Sequence, residues 1–185
     1  MMNARSALKG IVEWVAVLAV AIIASLLIRA FVVSPFVVPT GSMEPTIMVG
    51  DNVLAQKVTL EMGMDVKAGD IVVFRNPDGT SDHDVLVKRV VALGGQTVEL
   101  KDGYVYVDGV RRDEPFTQGK SYPLDSQAPG VSVSFPYTVP AGSVWVMGDN
   151  RENSSDSRYF GSVPEDDLIG VAFFRYWPFS RIGAM

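Results

Sequence analysis

Three stretches of this 185-residue chain hold residue types that can do chemistry. The first is Val38-Pro39-Thr40-Gly41-Ser42-Met43-Glu44-Pro45-Thr46. Pro39 and Pro45 each fix one φ angle and push the residue before them towards extended backbone, while Gly41 reaches angles closed to other residues. Ser42 therefore sits in a stiff bend dictated locally. Such a bend suits a nucleophilic hydroxyl that must be held still, and it suits an ordinary tight turn with a polar tip equally well. The second stretch runs from Val85 to Val91 and contains the neighbours Lys88 and Arg89. Strand alternation puts Leu86, Lys88 and Val90 on one side and Val85, Val87, Arg89 and Val91 on the other, so one cation must enter apolar company or lie at a strand edge. A snorkelling side chain meets that condition. So does a desolvated lysine, whose amine becomes a usable base when burial lowers its pKa from about 10.4 towards 7 or 8. Arginine stays protonated, so only Lys88 of the two can be a base. A serine hydroxyl beside a neutral lysine amine is an activated nucleophile that needs no histidine, because the amine takes the proton and later returns it to the leaving amine.

The third stretch, residues 146–158, is the densest polar segment in the chain. It fails as a calcium loop, because Arg151 stands where an oxygen ligand belongs and no glutamate fills the twelfth position. Its Asn, Asp and Ser residues suit an ordinary loop. Its carboxylates, hydroxyls and arginines also follow an apolar strand directly and could satisfy one another in a buried network. The single histidine, His83, lies between Asp82 and Asp84 and reads as a solvated loop residue. A Ser-His-Asp arrangement through it is formally open.

These stretches need elements to position them. Residues 14–28 are apolar except for Ser25, and with Glu13 and Arg29 allowed as flanks the run extends over residues 11–33. About 20 helical residues span a hydrocarbon core, so the run reads as a single transmembrane anchor rather than a cleaved signal. Arg29 can snorkel at its distal end, and no small-x-small site follows before Pro35. Arg5 and Lys9 precede the run, and after Arg29 no basic residue occurs until Lys57. The positive-inside bias then puts residues 1–10 in the cytoplasm and residues 34–185 on the outer side of the plasma membrane. Ser42 lies nine residues beyond Val33, at most about 30 Å of extended chain, which keeps the serine near the bilayer.

Beyond residue 34 the pattern is β. Strands are expected at Asn52–Val58, Asp70–Phe74, Val85–Ala92, Thr97–Leu100, Tyr104–Val107, Val131–Tyr137, Ser143–Met147 and Leu168–Trp177. Asp102-Gly103 marks a hairpin. Residues 111–130, rich in Pro and Gly, read as an exposed excursion. The fold class expected is mainly β, a folded sheet assembly or partly open barrel behind one N-terminal helix. Residues 173–179 are expected as core strand, with contact to lipid as the alternative.

Composition excludes several functions. The chain has no cysteine and one histidine, so disulfides, thiolate metal sites and a histidine zinc site are not expected. Its net charge is −5, and residues 34–185 carry 13 Lys+Arg against 20 Asp+Glu, or −7, with no basic cluster. Nucleic acid is not an expected partner.

Residues Pro39 to Thr46, Gly50-Asp51, Val87-Lys88-Arg89-Val90, and Gly148-Asp149-Asn150-Arg151 through Ser154, Asp156 and Arg158 follow one another in this order. In that order, behind an N-terminal span, they resemble the motif boxes of bacterial type I signal peptidases. The resemblance runs from residue 12 to Tyr176-Trp177-Pro178 and leaves out the excursion at 111–130. It implies a membrane-bound serine endopeptidase with a mostly β catalytic domain that removes signal peptides from exported preproteins. It implies no cofactor and no metal, and its partners are preprotein signal peptides and the lipid bilayer. By motif position Ser42 would be the nucleophile and Lys88 the general base. Thr40 would add its hydroxyl to an oxyanion hole shared with the Ser42 N–H. Ser154 would orient the lysine amine, with Asp149, Asp156 and Arg158 supporting that loop. Small side chains one and three residues before the cut are implied as the specificity. Many members carry serine where this chain has Thr40; the hydroxyl is kept, and the β-branch restricts its rotamer.

Two other readings remain. A self-cleaving Ser/Lys regulator shares the pair, although the apolar span and the lack of a helical DNA-binding module speak against it. A membrane-tethered β domain that only binds a partner would leave Ser42 in a structural turn.

Overall fold

A computed structural model describes residues 4–57, 66–79 and 83–185. The N-terminal helix covers Ala4–Phe31. Its described side chains are those of residues 10–26, and from Ile11 to Leu26 the large apolar ones stand exposed. Among the described residues no helix is long and apolar enough to cross a membrane. The helix stops short of the expected Val33, because Val33–Val37 forms the first strand, β1. Pro35 cannot donate to a ladder, and β1 is an edge strand, where that is tolerated.

The rest is mainly β, as the strand pattern predicts. After β1 come β2 (Asn52–Gln56), β3 (Ile71–Arg75), β4 (Val85–Leu93), β5 (Thr97–Lys101), β6 (Tyr104–Val107), β7 (Val110–Arg111), β8 (Tyr137–Thr138), β9 (Ser143–Met147), β10 (Val163–Pro164), β11 (Leu168–Trp177) and β12 (Gly183–Ala184). The larger sheet runs β1-β2-β11-β3-β4-β9-β10 with β12 on β11, and the smaller runs β7-β6-β5-β8. All described ladders are antiparallel. The Asp102-Gly103 hairpin forms as expected, with both residues at positive φ (54° and 79°) as a primed turn requires.

Alternation along the central strands sorts side chains into separate cores. On β3, Val72 and Phe74 join one cluster with Val90, Val146 and Phe160, while Ile71 and Val73 join another with Val38, Met43 and Ile47. Because both faces of β3 are covered, its four apolar residues are all buried. On β4, Leu86 and Val90 face the first cluster and Val85 and Val87 the second. A register shift between Val90 and Ala92 then turns the strand, and Val91 and Ala92 both enter a third cluster around Trp145. This third cluster joins the two sheets.

Three expectations are corrected. Residues 131–136 are not strand, and only Tyr137–Thr138 pairs with β5. The Gln127 amide replaces the missing neighbour, donating to Val133 O at 2.7 Å and accepting from Val133 N–H at 2.8 Å. The excursion at 111–130 is not simply exposed, since Ser121 and Ala128 are buried and Ala128 belongs to the first core. Finally, β11 is core only in its first half. Phe173, Trp177 and Phe179 are exposed, Phe179 at 73%. Val58, Ser81 and Asp82 lie outside the described residues.

Candidate active site

Ser42 is the middle residue of a single 3-10 turn, Gly41–Met43, entered from extended Thr40 (φ −127°, ψ 154°). Met43 and Ile47 anchor the turn, both fully buried in the second core. Main-chain bonds close the loop behind it: Val38 N–H donates to Asp51 O, and Gly50 N–H to Val38 O, each at 2.9 Å. Asp51 is buried and accepts from Met48 N–H, Arg175 and Arg181, so the Gly50-Asp51 pair locks this loop to the end of β11. As the second residue of its turn, Ser42 has a backbone N–H with no carbonyl partner within the turn.

Lys88 comes from the middle of β4, opposite Val72 of β3. It is 2% exposed. Its Nζ donates to Ser42 Oγ at 2.8 Å and to Val87 O at 3.1 Å. Burial strips water from the amine and lowers its pKa from 10.5 to about 8, against the opposing pull of the Asp156 carboxylate. Of the two neighbouring cations, Lys88 is therefore the one taken inside. Arg89 points to the loop and pairs with Asp149 through Nε at 2.8 Å and Nη2 at 2.7 Å.

The polar loop starts where it does because β9 ends at Met147, opposite Arg89, so Gly148 arrives beside Lys88. Gly148 admits no side chain: a Cβ there would overlap Ser154 Oγ and Ser42 O. Asn150 then grips the nucleophile's turn, its N–H donating to Ser42 O at 3.0 Å and its Nδ2 to Gly41 O at 3.1 Å. Asp156 is fully buried, accepts from Gly148 N–H at 3.0 Å, and pairs with Arg158 at 2.8 and 2.9 Å. Asp149 accepts a further bond from Thr46 Oγ1 at 2.5 Å.

Ser42, Lys88, Asp149, Asp156 and Arg158 thus come together. Thr40 lines the same cleft and makes no capping bond at its turn. Ser154 is the exception. Among the described residues its buried hydroxyl has no hydrogen-bond partner, and the lysine amine is held by Val87 O instead. The orienting bond expected from Ser154 is therefore absent. The cleft holds about 100 Å³ and is walled by Phe36, Val38, Val85, Leu86 and Val87, with the exposed His83 at its margin.

The sequence reading missed Asn150 as a partner of Ser42, Arg89 as the partner of Asp149, and Glu114 and Ser121 as partners of Arg151. No spacing rule links positions so far apart in the chain.

The family model for signal peptidase, peptidase S26, matches residues 11–177. The chain belongs to the signal peptidase family. It is a serine endopeptidase that cleaves signal peptides. Among its relatives, a probable signal peptidase I-1 of Synechocystis sp. is 39% identical over 178 residues, covering 94% of this chain and 86% of its own. Signal peptidase IB of Staphylococcus aureus is 35% identical over 182 residues, covering 94% and 93%. The crystal structure of signal peptidase I from Enterococcus faecalis is 30% identical with a TM-score of 0.43, covering 58% of this chain and 96% of its own.

Proposed function

We propose that this signal peptidase cuts preproteins by acyl transfer through Ser42, with Lys88 as general base. The contact of 2.8 Å between Lys88 Nζ and Ser42 Oγ, two buried side chains at the floor of the cleft, carries this reading. In the neutral amine one hydrogen is directed at Val87 O, leaving the lone pair for the serine proton. Lys88 takes that proton as Oγ attacks the scissile carbonyl. The developing oxyanion is received by the Ser42 N–H and the Thr40 hydroxyl. The ammonium then gives its proton to the leaving amine, and the C–N bond breaks to leave an acyl-serine. Water, deprotonated by the same amine, hydrolyses the ester and restores the hydroxyl. The small apolar cleft beside Ser42 fits short side chains before the cut.

The apolar helix from residue 11 to its end at Phe31 is the proposed anchor, with residues 1–10 in the cytoplasm and the catalytic domain, from β1 onward, outside the plasma membrane. Support comes from the uncovered apolar side chains of the N-terminal helix, Trp14 being 76% exposed. The exposed Trp177 and Phe179 suit the headgroup layer. A substrate whose apolar segment lies in the bilayer would then present its cleavage site at the depth of Ser42. The test is cleavage of a preprotein in trans by the full chain in lipid vesicles. Ser42→Ala and Lys88→Arg are expected to abolish it with near-UV circular dichroism unchanged. Turnover surviving in either variant would overturn the assignment.

A further inference from the structure

The segment from Glu114 to Ser121 lies outside the four motif stretches, yet it closes over the loop that holds the Ser42 turn. At its centre is Arg151, which is 2% exposed. Arg151 Nη1 and Nη2 donate to the two Glu114 carboxylate oxygens at 2.8 and 2.7 Å, and Nη1 also donates to Ser121 Oγ at 2.6 Å. Nε donates to Gly148 O at 2.9 Å. The main chains are tied as well, Gln118 N–H to Asp149 O and Arg151 N–H to Gln118 O, both at 2.8 Å. Phe116 of the same segment lies against the Arg89 guanidinium, 3.9 Å from its ring centroid, while Arg89 holds Asp149. The loop is thus gripped on one side by residues 114–121, and with Asn150 it grips Ser42 and Gly41 on the other.

We propose that Glu114 is a positioning residue for the Ser42–Lys88 pair, acting through Arg151 on the Gly148–Asn150 turn; this rests on Ser42 and Lys88 being the reacting pair. The bidentate fork fixes both the place and the orientation of the guanidinium, which a single hydrogen bond would not do. A buried arginine stripped of its carboxylate must find another arrangement, and the turn it holds moves with it. Ser42 and Gly41 each hang from that turn by one hydrogen bond, so the displacement reaches the nucleophile.

The test compares kcat, KM and thermal midpoint on a signal-peptide substrate for the full chain and for Glu114→Gln, Glu114→Asp, Ser121→Ala, Asp113→Asn and Ser42→Ala. Since a misplacement of ~1 Å costs on the order of 100-fold in rate, Glu114→Gln is expected to lower kcat about tenfold or more while KM stays within about threefold. Glu114→Asp, which keeps the charge, is expected to recover part of that loss, and the exposed Asp113→Asn to match the parent. A Glu114→Gln variant that only melts earlier, with parental kcat well below its midpoint, would reduce the contact to stability and overturn the proposal. If Glu114→Gln fails to fold, Ser121→Ala decides: a lowered kcat at unchanged KM supports the clamp, and parental kcat overturns it. Activity surviving in Ser42→Ala would instead overturn the assignment of the reacting pair.

Discussion

The backbone N–H of Asn150 donates to the carbonyl oxygen of Ser42 at 3.0 Å, so the nucleophile is held by the loop that faces its base as well as by its own turn. This contact exists only because Gly148, two residues earlier, has no side chain to push the loops apart. Gly148→Ala is therefore expected to lower kcat by about 100-fold, the scale of a misplacement of ~1 Å. Steady-state kinetics with a near-UV spectrum of the same sample checks this. Parental kcat in that variant would show that the approach of the two loops is unimportant.

Thr40 lines the cleft with its hydroxyl free of any capping bond. Thr40→Val keeps the shape and removes the donor, and is expected to cost about 10²–10³ in kcat with little change in KM, as loss of one oxyanion donor does. Thr40→Ser should retain activity. Equal kcat in Thr40→Val and the parent would remove Thr40 from the mechanism.

Burying the Lys88 amine costs stability. Its pKa falls from 10.5 in water to about 8 in the fold, so between those values the unfolded chain binds more protons and stability rises with pH. The cost is fully present below about pH 8, amounts to roughly 3 kcal/mol, and is relieved as the pH approaches 10.5. Lys88→Met, inactive as an enzyme, is expected to resist urea better than the parent at pH 7 and to lose most of that advantage by pH 10.5. A variant less stable than the parent at pH 7 would mean that the amine is not desolvated.

Local chemistry was readable in the sequence and distant partnership was not. Ser42 stood out because Pro39, Gly41 and Pro45 constrain it within a few residues, and Lys88 because alternation alone forces a cation into an aliphatic strand. The hairpin at Asp102-Gly103 was legible for the same reason, since positive φ is a local demand. The partners of Arg151 lie 30 and 37 residues away, on a segment whose Pro and Gly content reads as exposed loop. Residues 131–136 carry strand-like alternation, but the Gln127 side chain takes up the main-chain groups of Val133 that a neighbouring strand would have paired. Ser154 sits in a motif position, yet Val87 O holds the amine, a contact that depends on the side-chain path of Lys88 rather than on residue type.

The central claim is that the neutral Lys88 amine is the base for Ser42, and its most direct test sets two titrations side by side. One is the pKa of the Lys88 Nζ, followed by NMR of the selectively labelled side chain. The other is the acid limb of kcat/KM on a signal-peptide substrate. Both are expected at about 8, with activity falling about tenfold for each pH unit below it as the amine is protonated. An amine that titrates at its ordinary value of 10.5 in an enzyme already fully active at pH 7 would contradict the account.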